Sequence, residues 1–316
     1  MKQLLILSGK GGTGKTTIAS AFIKLADAKA YADCDVDAPN LHLITRLPSF
    51  NDLGTRSKSP ISVTGNVIIT GWNSQPEKTD YYGLPKADIN TELCTQCDQC
   101  TKNCRFDAIK AEEHYKVDPF ACEGCGVCEY ICPAEAIILK PAVAGELMLY
   151  SDEEKAFSTA KLKMGSGTSG MLVTVVKKQM KSAAADAGLA IIDGSPGIGC
   201  PVIASLNGVD MVLIVAEPSI SGISDMERII NTASKFGTKT AVCINKYNTN
   251  IENTEKIEEF CKKQGLPYIG RIPFDSNAVK AINNGQTIVD IDCASGTAVK
   301  EVYHKTMTLL FEKGGG

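Results

Sequence analysis

The sequence predicts a doubly wound, mostly parallel α/β sheet interrupted by a small α+β unit, and three observations predict it. A glycine-rich stretch from Ser8 to Thr17 follows the apolar run Leu4-Leu5-Ile6-Leu7 and precedes the amphipathic pattern Ile18, Ala19, Phe22, Ile23, Ala26, which reads as strand, loop and helix in succession. Further short apolar runs, each ending in a polar turn, alternate with helical patterns in the second half of the chain, the arrangement of a parallel sheet covered by helices. Between the two halves, eight of the 13 cysteines fall from Cys94 to Cys132, a density that marks a separate metal-binding unit rather than a disulfide framework.

At 316 residues, 44% hydrophobic and 22% charged, the chain has the composition of a soluble globular protein with one large or two modest domains. The formal net charge of -3 gives no basic surplus, so no nucleic-acid partner is expected. No apolar run approaches the roughly 18 residues of a membrane span, and Met1-Lys2-Gln3 leads straight into a core strand rather than a leader peptide. Leu309-Leu310-Phe311 and the Glu312-Lys313-Gly314-Gly315-Gly316 that follows lack a long basic amphipathic stretch for lying on a lipid surface. The expectation is a cytoplasmic protein without membrane insertion.

Within Ser8-Gly9-Lys10-Gly11-Gly12-Thr13-Gly14-Lys15-Thr16-Thr17, the glycines free the backbone so that successive N–H groups can converge on phosphate oxygens at a helix N-terminus. Gly11, Gly12, Thr13, Gly14, Lys15, Thr16 and Thr17 are therefore candidate nucleotide-binding residues; Lys15 would reach the outer phosphates and the Thr16 hydroxyl would ligate magnesium. Ala28-Lys29-Ala30-Tyr31-Ala32 forms the next short strand and ends in Asp33-Cys34-Asp35-Val36-Asp37-Ala38-Pro39-Asn40-Leu41. Carboxylates at the carboxyl end of a parallel strand beside a phosphate loop can hold magnesium or orient an attacking water; an acidic surface turn is the plainer alternative. Residues 49–65 are expected as surface loops, and Val67-Ile68-Ile69-Thr70-Gly71-Trp72 as another strand.

Composition changes around Tyr82-Gly83-Leu84-Pro85, which sets the expected division into 1–83, 84–140 and 141–316. The middle part carries Cys94-x2-Cys97-x2-Cys100-x3-Cys104 and Cys122-x2-Cys125-x2-Cys128-x3-Cys132-Pro133. Thiols at this spacing suit iron–sulfur clusters, and pairs at the same spacing also make zinc sites. Asn103-Cys104-Arg105-Phe106-Asp107-Ala108-Ile109 parallels Ile131-Cys132-Pro133-Ala134-Glu135-Ala136-Ile137, so the unit is an internal repeat.

Beyond it, Met164 to Gly170 predicts a flexible turn, followed by a helix running through Met180. Leu189-Ala190-Ile191-Ile192-Asp193 then reads as a buried strand ending in a magnesium-binding carboxylate, with Gly197 near the terminal phosphate. Met211 to Ala216 and Thr240 to Asn245 are further buried strands, with a helix expected from Asp225 to Phe236 between them. Cys34, Cys243, Cys261 and Cys293 have no ligand spacing and are expected as ordinary residues.

The Lys-Gly-Gly-Thr-Gly-Lys-Thr form of the loop resembles the deviant phosphate-loop ATPases of the MinD, ParA, Mrp and nitrogenase iron protein group, over essentially the whole chain. The resemblance implies ATP/ADP and Mg2+ as cofactors and a homodimer, or a heterodimer with a related ATPase, in which Lys10 crosses to the nucleotide on the other subunit. It further implies that Asp35 positions the hydrolytic water with Asp33 in support, that Asp193 binds magnesium, and that Asn245 and Pro273 contact adenine. The cysteine runs resemble the bacterial ferredoxin with two 4Fe-4S clusters. That resemblance implies one cluster on Cys94, Cys97, Cys100 and Cys132, and another on Cys122, Cys125, Cys128 and Cys104. Cys200 stands seven residues after Asp193, the offset of the cluster-ligating cysteine in the nitrogenase iron protein, but the second cysteine motif of that protein has no counterpart here. The function implied is ATP-gated electron transfer to a redox partner. A metallocluster carrier serving an accepting protein and a spatial organiser with redox-sensing clusters are the alternatives.

Overall fold

The computed structural model describes residues 1–44 and 75–312. In chain order the first elements are β1 (Lys2–Leu7), α1 (Lys15–Leu25), β2 (Ala30–Asp33), α2 (Leu41–Ile44) and β3 (Glu77–Tyr82). The cysteine-rich stretch contributes β4 (Lys86–Ile89), α3 (Gln99–Asn103), β5 (Ile109–Ala111), β6 (Tyr115–Val117), α4 (Val127–Tyr130) and β7 (Ile137–Lys140). After it come β8 (Val143–Ser151), β9 (Ala156–Leu162), α5 (Ser169–Ala183), β10 (Leu189–Asp193), α6 (Cys200–Leu206), β11 (Met211–Ala216) and α7 (Ile220–Ser234). The chain closes with β12 (Lys239–Asn245), α8 (Ile251–Lys263), β13 (Tyr268–Ile272), α9 (Ser276–Asn283) and α10 (Ala294–Phe311).

Nine strands form one sheet in the order β13-β12-β11-β1-β10-β2-β9-β8-β3. The seven strands from β13 to β9 are parallel to their neighbours, and β8 and β3 close the edge antiparallel. The expected doubly wound sheet is thus present. Its centre is β1, whose Leu4, Leu5, Ile6 and Leu7 are fully buried because helices cover both faces. Leu5 and Leu7 pack with Val176 and Met180 of α5, Leu206 of α6 and Ile229 of α7. Leu4 and Ile6 point the other way, towards Ile18 and Phe22 of α1 and Val299 and Val302 of α10.

The loop expected at 49–65 and the strand expected at Val67–Trp72 lie outside the described residues. The β8–β9 hairpin was not anticipated, since the half-buried strand β8 alternates too weakly to show in the sequence. Helix α7 starts five residues before its expected position because the Ser219 hydroxyl caps it, accepting from the Gly222 amide at 3.1 Å.

One buried charge holds the α5–α6 pair. Lys177 donates to the carbonyls of Ser205 at 2.5 Å and Asn207 at 2.7 Å, groups that the end of α6 would otherwise leave without a donor. Burial pushes its ammonium down to about 8. Lys177→Met should cost about 1–3 kcal/mol, the penalty for stranding buried acceptors. A thermal melt superimposable on wild type would show that water serves those carbonyls equally well.

Between β3 and β8 the chain forms two small sheets, β4–β7 and β5–β6, around a core of their own that includes Ala87, Ile109, Tyr115 and Ile137. Each position of the first cysteine run recurs 28 residues later, as Cys94 and Cys122 or Cys104 and Cys132 do. The backbone obeys the same offset. Gln96 and Gly124, Asp98 and Gly126, and Asp107 and Glu135 all have positive φ. Asn90 donates its amide to the Ala136 carbonyl at 2.8 Å, and Asp118 donates to the Ala108 carbonyl at 2.7 Å. Each copy's start is therefore bonded to the other copy's end, an exchange that crosses the repeats.

Candidate functional site: a phosphate-loop cleft and two cysteine rings

At the carboxyl ends of β1, β2 and β10, three loops meet in a cleft, the position at which an open α/β sheet binds ligands. The glycine-rich turn after β1 ends at Gly14, which has φ 89° and caps α1. A Cβ there would stand 2.3 Å from the Asn245 side-chain nitrogen, so both the backbone and the approach of β12 require glycine. The cleft has a volume of about 980 Å³ and is lined by Lys10, Lys15, Thr16, Asp35, Pro196 and Cys200 among others.

Asp193 gathers the groups expected to serve phosphates and magnesium. Its Oδ1 lies 2.5 Å from the Lys15 ammonium, and its Oδ2 accepts from the Thr16 hydroxyl at 2.7 Å. Burial works against the Lys15 charge, but Asp193 outweighs it and holds the ammonium above the ordinary lysine value. Asp33 is placed differently. It is fully buried, and its Oδ1 accepts from the Asp35 amide at 3.0 Å while Oδ2 accepts from the amides of Asn40 at 2.9 Å and Leu41 at 3.0 Å. Asp33 thus organises the acidic loop from its base, and burial followed by the nearby Asp193 charge pushes its carboxyl up. Asp35 lines the cleft, with its carboxyl raised chiefly by burial. The two loops are joined where the Ser195 hydroxyl donates to the Cys34 carbonyl at 2.6 Å.

Lys10 is held within its own chain, 2.9 Å from Glu217 Oε2 and donating to the Ser219 hydroxyl at 3.0 Å. Glu217 also lies 3.5 Å from the Lys246 ammonium, which donates to the Gly12 carbonyl at 2.7 Å. Burial favours the protonated Glu217, but these two lysines outweigh it and keep the carboxyl below its ordinary value. Glu217, Ser219 and Lys246 were not singled out from the sequence. The available signal was their position just beyond Ala216 and Asn245, where β11 and β12 end. Asn245 donates to the Thr13 carbonyl at 2.6 Å and, with Pro273, lines a side pocket of about 230 Å³ that adjoins the cleft at Gly12, Gly14 and Thr17.

The cysteine runs surround two further cavities. One is lined by Cys94, Cys97, Cys100 and Cys132, and the other by Cys104, Cys122, Cys125 and Cys128. Each ring takes three thiols from one run and the fourth from the other, as the crossed backbone pairing requires. The Ala136 amide donates to Cys132 Sγ at 3.3 Å. Among the described residues, no three side chains of His, Cys, Asp or Glu converge on a single-ion position. Cys200 opens α6 and is exposed to the nucleotide cleft rather than to either ring. Cys34, Cys243 and Cys261 are buried, and Cys293 caps α10 through its sulfur. No helix among the described residues is long and apolar enough to cross a membrane.

The CbiA family description, the CobQ/CobB/MinD/ParA nucleotide-binding domain, matches residues 4–288. An uncharacterized protein of Methanocaldococcus jannaschii is 31% identical over 314 residues, covering 96% of this chain and 95% of the relative. The 7Fe ferredoxin of Hydrogenibacillus schlegelii is 35% identical over 74 residues, which are 22% of this chain and 95% of the ferredoxin. The septum site-determining protein MinD of Pyrococcus horikoshii, solved with Mg-ADP, superposes with a TM-score of 0.54 at 16% identity, covering 98% of this chain and 97% of that one. At that identity the superposition speaks for the fold. The loop, the sheet order and the extent of the family match together make this chain a member of the CobQ/CobB/MinD/ParA family of nucleotide-binding proteins.

Proposed function

We propose that the chain binds and hydrolyses ATP and couples that cycle to electron transfer through two 4Fe-4S clusters. The observation that carries the reading is the presence of two four-thiol cavities in the same chain as a phosphate-loop cleft. A four-iron cubane takes one thiolate per iron, so its ligands stand apart around a small volume instead of meeting at a point. Four cysteines around each cavity support that arrangement, and the match of 22% of the chain to nearly the whole of a 7Fe ferredoxin supports the same group. Bound clusters would supply one-electron chemistry.

The remaining roles fall to this chain's own side chains. Lys15 neutralises the outer phosphates, Thr16 and Asp193 hold magnesium, and Asp35 orients the attacking water. The pocket beside Asn245 and Pro273 takes the base. Lys10 leaves Glu217 and reaches the nucleotide of a second copy or of a related ATPase. Breaking its partly exposed pair costs only about 0.2–1 kcal/mol, so an added phosphate can outbid it.

Redox titration of anaerobic protein with no nucleotide, with ADP and with an ATP analogue tests the coupling. Coupled sites typically exchange ~1–3 kcal/mol, which for a one-electron centre is roughly 40–130 mV. A shift of that size is expected for at least one cluster. Superimposable titrations, with unchanged rates of electron delivery to an acceptor, would refute the coupling.

A further inference from the structure

We infer that the turn 163–170 is the contact through which nucleotide state reaches the clusters, and that it acts on the ring of Cys104, Cys122, Cys125 and Cys128. The inference rests on the functional reading above. It begins with the two ends of the turn. At the incoming end, the Leu162 amide donates to the Val36 carbonyl at 2.9 Å, between Asp35 and Asp37 of the acidic loop. At the outgoing end, a Cβ on Gly170 would stand 3.1 Å from both the Cβ and the carbonyl oxygen of Cys200, so the start of α5 lies directly on the start of α6. Ser169, between these anchors, lines the nucleotide cleft. Both loops that would sense phosphate are therefore fastened to one short segment.

The apex of that segment meets the second cysteine loop. Gly165 and Gly167 have φ of 77° and 66°, a backbone that side chains resist. A Cβ on Gly165 would stand 3.2 Å from the Phe120 ring, and one on Gly167 would stand 3.9 Å from the Glu123 carboxylate. Phe120 and Glu123 flank Cys122. The same loop is gripped from its other side, where a Cβ on Gly124 would stand 2.2 Å from the Pro85 carbonyl oxygen and Lys86 donates to the Cys122 carbonyl. Held between the root of the unit and the turn, the Cys122 loop must rearrange when the turn is displaced. Phe120 and Glu123 are positioning residues in this account; neither is a thiol ligand.

Hydrogen exchange of anaerobic, cluster-loaded protein tests the assignment, comparing Mg-ADP with a magnesium-bound nonhydrolysable ATP analogue. Amides of residues 119–127 should change their exchange rate at least threefold between the two nucleotides, and those of residues 91–99 by less. Phe120, 73% exposed, can be truncated without opening a core. Phe120→Ala should bring the response of 119–127 below threefold, and Glu123→Ala should reduce it in the same direction. Equal responses in both loops, no response in either, or a wild-type response in both variants would overturn the role of the turn. Iron content and ATP hydrolysis are measured on the same samples. Intact values beside an unresponsive loop overturn this inference alone and leave the functional reading standing; protein that takes up no iron overturns both.

Discussion

Cys132→Ala should cut the iron bound by anaerobically prepared protein from about eight to about four atoms per chain, the content of two cubanes and of one. The iron lost should be that held by Cys94, Cys97 and Cys100, although Cys132 belongs to the other run. Its sulfur lines their cavity, and Cys104 lines the cavity of the second run. Cys104→Ala should therefore remove the complementary four atoms, and the two variants together should separate the spectra of the clusters. Iron analysis with low-temperature paramagnetic resonance reads both quantities. If Cys132→Ala instead emptied the ring of Cys122, Cys125 and Cys128, each run would be serving itself. Zinc without iron in the wild-type protein would refute cluster binding altogether.

Lys15→Ala should lower ATP hydrolysis by about 10²–10³-fold, the loss that follows removal of one preorganised group facing developing charge. Its ammonium is buried and lies 2.5 Å from Asp193, so truncation also frees a carboxylate beside incoming phosphate and should weaken nucleotide binding. Lys10→Ala makes an informative contrast, because within the single chain the Lys10 ammonium is held by Glu217 and Ser219. It should leave binding to one chain in place and reduce hydrolysis through lost dimerisation. Sedimentation with a nonhydrolysable ATP analogue distinguishes the two, and dimerisation of the Lys10 variant equal to wild type would end the proposed role of Lys10 across the interface. Retained turnover in Lys15→Ala would mean that the cleft is not the hydrolytic site.

The features legible in the sequence were those whose chemistry is contiguous. The glycine-rich loop, the cysteine spacing and the Leu189–Asp193 strand each announce themselves within ten or so residues, because backbone conformation and ligand geometry are local demands. What stayed hidden depended on distant partners or weak patterns. Asp33 reads in the sequence as one more carboxylate of the acidic loop, since nothing in its neighbours reveals that the amides of Asn40 and Leu41 curl back onto its oxygens. The partner of Lys10 is Glu217, on another strand's loop. Strand β3 reads Glu77-Lys78-Thr79-Asp80-Tyr81-Tyr82, exposed everywhere except Tyr81, and an edge strand this polar has no hydrophobic signature to find.

That polar edge also shows how the cysteine unit joins the sheet. Tyr82 stands opposite Val143, and the Gly83 amide donates to the Ala142 carbonyl at 3.1 Å, so the chain departs from the sheet and returns to it at a single rung. The whole stretch from 84 to 141 thus takes the place of a hairpin's tip. Whatever is spliced in at that rung leaves every strand register of the nucleotide-binding sheet as it was, because no strand has to lengthen or slide to make room. A short turn closing Gly83 onto Ala142 would complete the same hairpin. The fold therefore carries its cysteine-rich unit as an exchangeable cassette, and the rung between Gly83 and Ala142 is the seam at which recombination could add it, remove it or put another unit in its place.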